Sequence, residues 1–586
     1  MDNNKRVYLI IGVISVIILA LGVTTVWFTW NSTTNTDVTF NVNGLDIINT
    51  NIDILGKELY PTNNKENGIV EEFTVKQNNE ISTSVCSDFT LTLTTLPTEL
   101  QHKSFKYKLY NGTNLVGSGN FEGKTQGQVI TIATSQPITS EISIYKLYIW
   151  IDGTMDNPLS MGGKSFLFKL TIKAIQQENT CTPSIITCDA DDVTPNTLVL
   201  AEGMIPIKWD GSKWVKASTD NWYNYSNKEW ANAVMVRTDK DSNVNGSRSR
   251  EQYMSADEGT KILESDILAY YVWIPRYKYQ LFNVNSEEMN PIEICTQFEG
   301  KGTTKSTGST NGSWLTHPAF TFGTDELSGI WVGKFETSGT ASAPTIKPNL
   351  TSLVEQNVST QFSTSKKFGT TTYLTSNGVS RVDAHMMKNT EWGTVAYLKQ
   401  SRYGLGTTDM GNNAYHASSS PYYMAGCGPV SETDLTSKTT TCTSYTSSAG
   451  VKSSTTGNVY GVYDMAGGAW EYVMGMLKTE DETDLTYSYS GFTTSTLPFG
   501  SKYVDAYTYG NTNNDITAYN RRILGDATGE TRGWYSDYAD FPYSSYSFFS
   551  RGGSSDNESL AGVAGFSRNG GGAFYFFAFR STLATQ

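Results

Sequence analysis

The sequence predicts a β-rich α+β protein in three parts: an N-terminal transmembrane helix, a β-sandwich, and a large loop-rich C-terminal domain. Three observations point there. Residues 7–30 form an apolar run without a charge; residues 31–178 carry many short alternating segments; and beyond residue 266 the chain is rich in turns, with recurring aromatics and few helical runs. At 586 residues it is too long for one hydrophobic core. Only 17% of residues are charged, while Tyr (34) and Gly (52) are plentiful, the balance of a secreted β-rich protein. The net charge of −13 offers no concentrated basic surface for phosphates, so no nucleic-acid partner is expected.

The run Val7–Trp30, "VYLIIGVISVIILALGVTTVWFTW", would span roughly 36 Å as a helix at about 1.5 Å per residue. Lys5 and Arg6 precede it and the next basic residue is Lys57, so residues 1–6 read as a cytoplasmic tail and everything after 30 as extracellular. Trp27 and Trp30 suit the outer interface. The expectation is an uncleaved, single-pass signal anchor in the cell membrane. A cleaved signal peptide is the alternative, although the run is long for one and no A-x-A site follows.

Residues 31–178 read as the sandwich. "FTLTLTTLP", "FKYKLYNG", "VITIA", "SIYKLYIWID" and "SFLFKLTIKAI" alternate or cluster apolar, β-branched and aromatic residues between Gly, Asn and Pro turns. A membrane-proximal helix followed by such strands, with "YKLYIWIDGTMDNP", is similar to the camelysin and biofilm-fibre family of Gram-positive surface proteins. That resemblance implies a stalk or spacer and leaves a structural envelope or fibre component as one functional reading. Residues 179–200 form a linker. All six cysteines lie beyond the run 7–30, where disulfides are permitted; Cys181 with Cys188 would close one small loop and Cys427 with Cys442 another. Neither spacing suits zinc or redox chemistry.

Residues 201–265 read as an aromatic hairpin module leading into the last domain. "IPIKWDGSKWVKAS" places Asp210-Gly211 at a type I′ turn. Trp209, Trp214, Trp222, Tyr223, Tyr225 and Trp230 either stack on sugars or build a hairpin core. From 266 to 586 the chain reads as one unit. "DILAYYVWIPRYKYQLF" is a strand ending at Pro275 and "LSGIWVGKFETSG" another. "VDAHMMKNTEWGTVAYLKQSRYG" has a helical pattern, with Thr390 as N-cap, Trp392, Val395 and Ala396 on one face, and Gly404 as a stop.

Four stretches of this last part, in order, resemble the formylglycine-generating-enzyme-like (sulfatase-modifying factor) family: "IWVGKFETSG", "MKNTEWGTVAYLKQSRYG", "YGVYDMAGGAWEYV", and "FFSRGGSS" with "FAFRSTL". The resemblance implies a C-type-lectin-like fold over 266–586, with long packed loops. It also implies a structural Ca²⁺ ion on the third stretch, held by the carboxylates of Asp464 and Glu471 and the carbonyls of Gly467 and Ala469, hard oxygens on a glycine-permitted turn. The alternative keeps Trp470 as a core anchor and has Asp464 and Glu471 cap backbone amides without metal. Gly468 stands where the family usually has Asn.

The resembled oxidases act through a cysteine pair near the C-terminus. Residues 565–581, "GFSRNGGGAFYFFAFRS", contain no cysteine, so oxidase chemistry and a redox cofactor are not expected and the chain is expected not to be an enzyme. An oxidative or protein-modifying activity would need another metal site, for which His317, His385 and His416 are the candidates. The same fold and closing pattern occur in the variable ligand-binding proteins of diversity-generating retroelements, whose late residues form the binding face. By that resemblance Trp534, Tyr535, Asp537, Tyr538, Asp540, Tyr543, Tyr546, Phe548, Asp556, Asn557, Asn569 and Tyr575 are candidate ligand contacts, while Arg551 and Arg580 belong to the frame beneath. The leading expectation is a membrane-anchored receptor or adhesin that binds an extracellular glycan or protein.

Overall fold

The computed structural model describes residues 45–585 except 49–52, 63, 78–83, 113, 139–140, 154–158, 178–180, 182–193, 221, 240–245 and 376–381. The chain divides into two compact units, Met1–Asp189 and Ala190–Gln586. The expected anchor at 7–30 lies outside the described residues. Among the described residues no helix is long and apolar enough to cross a membrane. The transmembrane part of the expected fold, and the single-pass membrane localisation drawn from it, are therefore corrected: neither has support in the structure.

The first unit is the sandwich the alternation predicts. One sheet runs β1 (Leu45–Ile48), β4 (Ile69–Gln77), β9 (Ser143–Asp152), β6 (Phe105–Asn111), β7 (Asn114–Asn120), with the short β3 (Pro61–Thr62) also on β9. The other runs β2 (Asp53–Leu59), β10 (Lys164–Gln177), β5 (Ser84–Thr95), β8 (Val129–Ile138). Along β6 and β9 every second side chain turns inward, because successive residues of a strand face opposite sides of the sheet. Between the sheets, Phe73, Phe89 and Tyr145 pack together, as do Phe105, Phe121, Phe166 and Phe168. Cys86 on β5 is bonded to Cys181, not Cys181 to Cys188, so the bridge closes a separation of 95 residues instead of a small loop.

The second unit is built on a seven-stranded antiparallel sheet. Its order is β12 (Trp214–Lys216), β11 (Ile205–Trp209), β13 (Asn232–Val236), β14 (Ile267–Pro275), then Gly329–Gly333, Ser581–Thr585 and Val382–Met386. Residues 201–265 thus contribute three strands at one edge of this sheet. Trp214, Trp222, Tyr225 and Trp230 are buried core, with Trp209 and Tyr223 packed against it. The turn at Asp210-Gly211 is a four-residue loop, not a two-residue one: Asp210 Oδ1 accepts from Ser212 N and Lys213 N, both at 2.9 Å.

The expected helix spans Asn389–Lys399, its cap two residues earlier than the expected Thr390. Lys388 is the cap residue, and Glu391 reaches back to the Lys388 amide at 2.9 Å. All eleven helical residues are buried, so the one-sided pattern is replaced by packing on every face. A second sheet pairs Trp470–Leu477 antiparallel with Phe548–Arg551 and in parallel with Asp505–Tyr507 and Phe577–Phe579; Phe566–Asn569 completes it beyond Phe548–Arg551.

Candidate functional site

The stretch 460–473 runs into the second sheet, its last four residues opening the strand Trp470–Leu477. Asp464, Gly467 and Gly468 all take positive φ, near 60°, 71° and 71°. At Gly467 an added Cβ would come within 2.5 Å of Asn413 O, and at Gly468 within 2.5 Å of Glu336 Oε1, so both backbones approach closer than a side chain permits. Asp464 accepts from Glu336 N (3.1 Å), Gly426 N (2.9 Å) and Asn413 Nδ2 (2.9 Å). Glu471 faces Arg580, whose Nη2 and Nε donate to it at 2.5 and 3.2 Å; the same guanidinium donates to Gly333 O and Tyr463 O. Glu336, which the sequence did not single out, accepts from Ala469 N at 2.9 Å through Oε1. Its Oε2 is buried without a partner.

The two carboxylates expected to bind calcium already have protein partners in this structure. Both expected carboxylates are committed to backbone amides, Asn413 and Arg580. Among the described residues no group of three or more His, Cys, Asp or Glu is placed to hold a metal ion. Asp464 caps the backbone amides of Glu336 and Gly426, whereas Glu471 pairs with Arg580, and Trp470 packs in a buried cluster and against Tyr538. Arg580 acts on two acids, Asp464 and Glu471, and Glu336 lies beside them. Burial, with Asp464 and Glu471 nearby, pushes Glu336 well above the usual carboxyl range. Glu471 is pushed up to about 7, burial outweighing Arg580.

The three histidines considered for an oxidative metal site have separate surroundings. His317 is buried against Gly525 O at 2.9 Å, and burial lowers its pKa to about 3. His385 pairs with buried Glu391 at 2.9 Å. His416 lies against Tyr422, Tyr423 and Asp556.

The twelve expected ligand contacts divide into four sets. Trp534, Asp537 and Phe548 are interior. Trp534 stacks on Phe282, and Asp537 accepts from Ala564 N in space left by Gly562. Burial and neighbouring Asp409 push the Asp537 carboxyl well up. Tyr535 and Asn557 are half-buried and engaged locally: Tyr535 donates to Gln400 Oε1 at 2.9 Å, and Asn557 caps the turn at Ser554. Tyr538, Asp540, Tyr543 and Tyr546 gather around Arg568, which pairs with Asp540 and lies over the Tyr543 ring.

Asp556, Asn569 and Tyr575 belong to a fourth group, together with residues that the sequence did not single out. Tyr575 is 47% exposed and its ring centre lies 5.0 Å from that of Tyr422, which in turn stacks on His416 at 5.8 Å. Asp556 bridges His416 Nε2 (3.5 Å) and Lys438 Nζ (2.6 Å). Phe574 and Tyr489 continue the row, 43% and 80% exposed. Lys438 is brought there by the loop that the Cys427–Cys442 disulfide closes, as the spacing of those two cysteines predicts. No sequence signal separates Tyr489 from the many other tyrosines; only its exposure on a fixed loop does.

No family model matches the chain, and no curated protein matches it. Among solved structures it is similar to dimeric latent PorU from Porphyromonas gingivalis, at 14% identity over 31% of this chain and 18% of that one, with a TM-score of 0.13. The receptor-binding domain of botulinum neurotoxin mosaic serotype C/D is another, at 8% identity over 51% and 87% of the two chains, also with a TM-score of 0.13. The chain therefore spans under a fifth of the length of PorU. Likenesses of this size carry no argument about fold or function.

Proposed function

We propose that the protein is an extracellular, non-enzymatic ligand-binding protein whose second unit, a relative of the formylglycine-generating-enzyme-like and C-type-lectin-like scaffolds, presents a recognition face. One observation carries this reading. Tyr489, Phe574 and Tyr575 expose large aromatic surface on hydrogen-bonded loops, beside the polar group His416, Asp556 and Lys438. Rings that face water without covering a core cost solvation, and aromatic surface beside adaptable polar groups is how binding faces are made. Disulfides Cys86–Cys181 and Cys427–Cys442 favour an oxidising compartment. The absence of cysteine from residues 565–581 supports a binding role over the oxidase chemistry of the resembled family.

The full chain, probed on glycan and protein arrays, is expected to give saturable binding to one ligand class. Changing Tyr575→Ala together with Asp556→Ala should abolish it without altering thermal unfolding. Silence across both arrays would overturn the reading.

A further inference from the structure

We propose that the exposed ring row on the second unit is a docking ridge for a neutral pyranose oligosaccharide; this rests on the recognition-face reading and names its ligand class. The ridge starts at Tyr489, next to Ser488, whose φ of 38° is unfavourable for a residue with a side chain. Tyr489 N donates to Gly570 O at 3.0 Å. An added Cβ on Gly570 would lie 2.9 Å from Tyr489 Cδ2, so the ring rests against bare backbone. A Cβ on Gly572 would lie 3.2 Å from the Phe574 ring and 3.6 Å from Tyr489 Cβ, which sets both aromatics around one glycine. Phe576 then links Phe574 (5.6 Å, stacked) to Tyr575 (5.0 Å, edge-on). Tyr575 adjoins Tyr422, and His416 with Asp556 and Lys438 closes the row.

The row is fixed before any ligand arrives. Beneath it Tyr472 stacks on Phe577 at 4.1 Å and donates to Asn569 Oδ1 at 2.8 Å. Val358 N donates to Gly571 O and Glu355 N to Phe574 O, at 3.1 and 3.0 Å. Preorganisation of this kind removes much of the ordering cost of binding. The chemistry selects the ligand. A pyranose has a C–H face that lies flat on an aromatic ring and an edge of hydroxyls that a carboxylate and an ammonium bind. A protein partner needs about 800 Å² of complementary surface on each side. Here the exposed aromatic surface is that of three rings, Tyr489, Phe574 and Tyr575, and the adjoining Gly570, Gly571 and Gly572 are buried. The net charge of −13, and Asp556 at the end of the row, disfavour an acidic glycan.

The test is titration of the full chain with neutral hexose and N-acetylhexosamine oligosaccharides, beside acidic ones and the protein array. Neutral sugars are expected to bind. Tyr489→Ala and Tyr575→Ala should each weaken binding by about tenfold, the scale of one aromatic contact, while Tyr489→Phe retains it. Tyr60→Ala, at a tyrosine 63% exposed on the first unit, should change nothing. Gly570→Ala, which displaces the Tyr489 ring, should mimic Tyr489→Ala. Sugar binding that survives both ring removals, or preference for acidic sugars, overturns the inference. Binding to a protein with none to sugars also overturns it while leaving the recognition-face reading intact; silence to both sinks the two together.

Discussion

The two units fill their interiors differently. Between its sheets the first unit buries Phe, Leu and Ile, and among the described residues its buried polar side chains are few and uncharged: Ser87, Ser104, Ser118 and Gln136. The second buries Arg276, Arg551 and Arg580, Lys334 and Lys399, and acids including Glu336, Glu391, Asp464, Glu471, Asp526 and Glu530. Lys334 is one such buried charge. Its ammonium donates to Asn232 Oδ1, Val459 O and Gly461 O at 2.6 to 2.9 Å and lies over the rings of Trp214 and Tyr463. Regular sheets satisfy their own backbone, so their core can be apolar. Long buried loops leave amides and carbonyls without strand partners, and charged side chains complete those bonds. Stability in the first unit therefore rests on volume, and in the second on satisfied polar groups.

The sharpest way to break this contrast is Arg580→Ala. It strands Glu471 and removes the donor from Gly333 O and Tyr463 O, an expected loss of about 3 to 5 kcal/mol. Calorimetry should show the second unit's transition lowered and the first unit's unchanged. Equal shifts in both would mean the units do not unfold separately. Next in size, Cys427→Ser with Cys442→Ser opens a loop of 15 residues, expected to cost about 3 kcal/mol in the second unit alone.

A pH series sharpens the same contrast. Glu530 is fully buried, accepts from Tyr279 and Tyr397, and is pushed up to about 7 by burial. A carboxyl with a raised folded pKa holds its proton more tightly in the folded state. Its contribution is complete below the unfolded value of 4.5 and is lost as pH rises through about 7. Glu471 and Glu336 shift in the same direction. Between pH 5 and 7 the second unit is expected to lose stability by up to about 1.4 kcal/mol per pH unit for each such group. In the first unit Glu71 is raised by burial, but it is only half-buried, so its transition should move less. A pH-independent second transition would contradict the assignment. The smallest effects are expected from Tyr60→Ala and Tyr489→Ala, within about 0.5 kcal/mol in unfolding experiments because neither ring supports a core. Only the second should alter ligand binding.

The same division decides what could be read from the sequence. "SIYKLYIWID" reveals its strand because alternate residues face one core, a local rule. "NTEWGTVAYLK" reveals a helix but not its burial, because Glu391 and Lys399 look like solvent residues until the preceding strand sets His385 against the one and a distant segment sets Tyr535 against the other. Asp464 and Glu471 were legible as important, yet their partners Gly426, Asn413 and Arg580 are distant in sequence, and a pair of acids beside a glycine turn reads equally well as a cation site. Of the expected face, Trp534 and Phe548 lie in the interior, because composition cannot tell an exposed aromatic from a core one. Tyr575 and Asp556 fell on the ridge, and Tyr489 was missed because its exposure depends on Gly570 lying opposite.

One feature of the topology bears on how the molecule is made. Strand Ser581–Thr585 lies inside the seven-stranded sheet, between Gly329–Gly333 and Val382–Met386. During synthesis the chain must therefore carry an open slot in that sheet, with two unsatisfied edges, until residues 581–585 have emerged. A ribosome stalled before residue 581 would leave a second unit with exposed strand edges, prone to capture by chaperones or proteases, while the sandwich made earlier could already be complete.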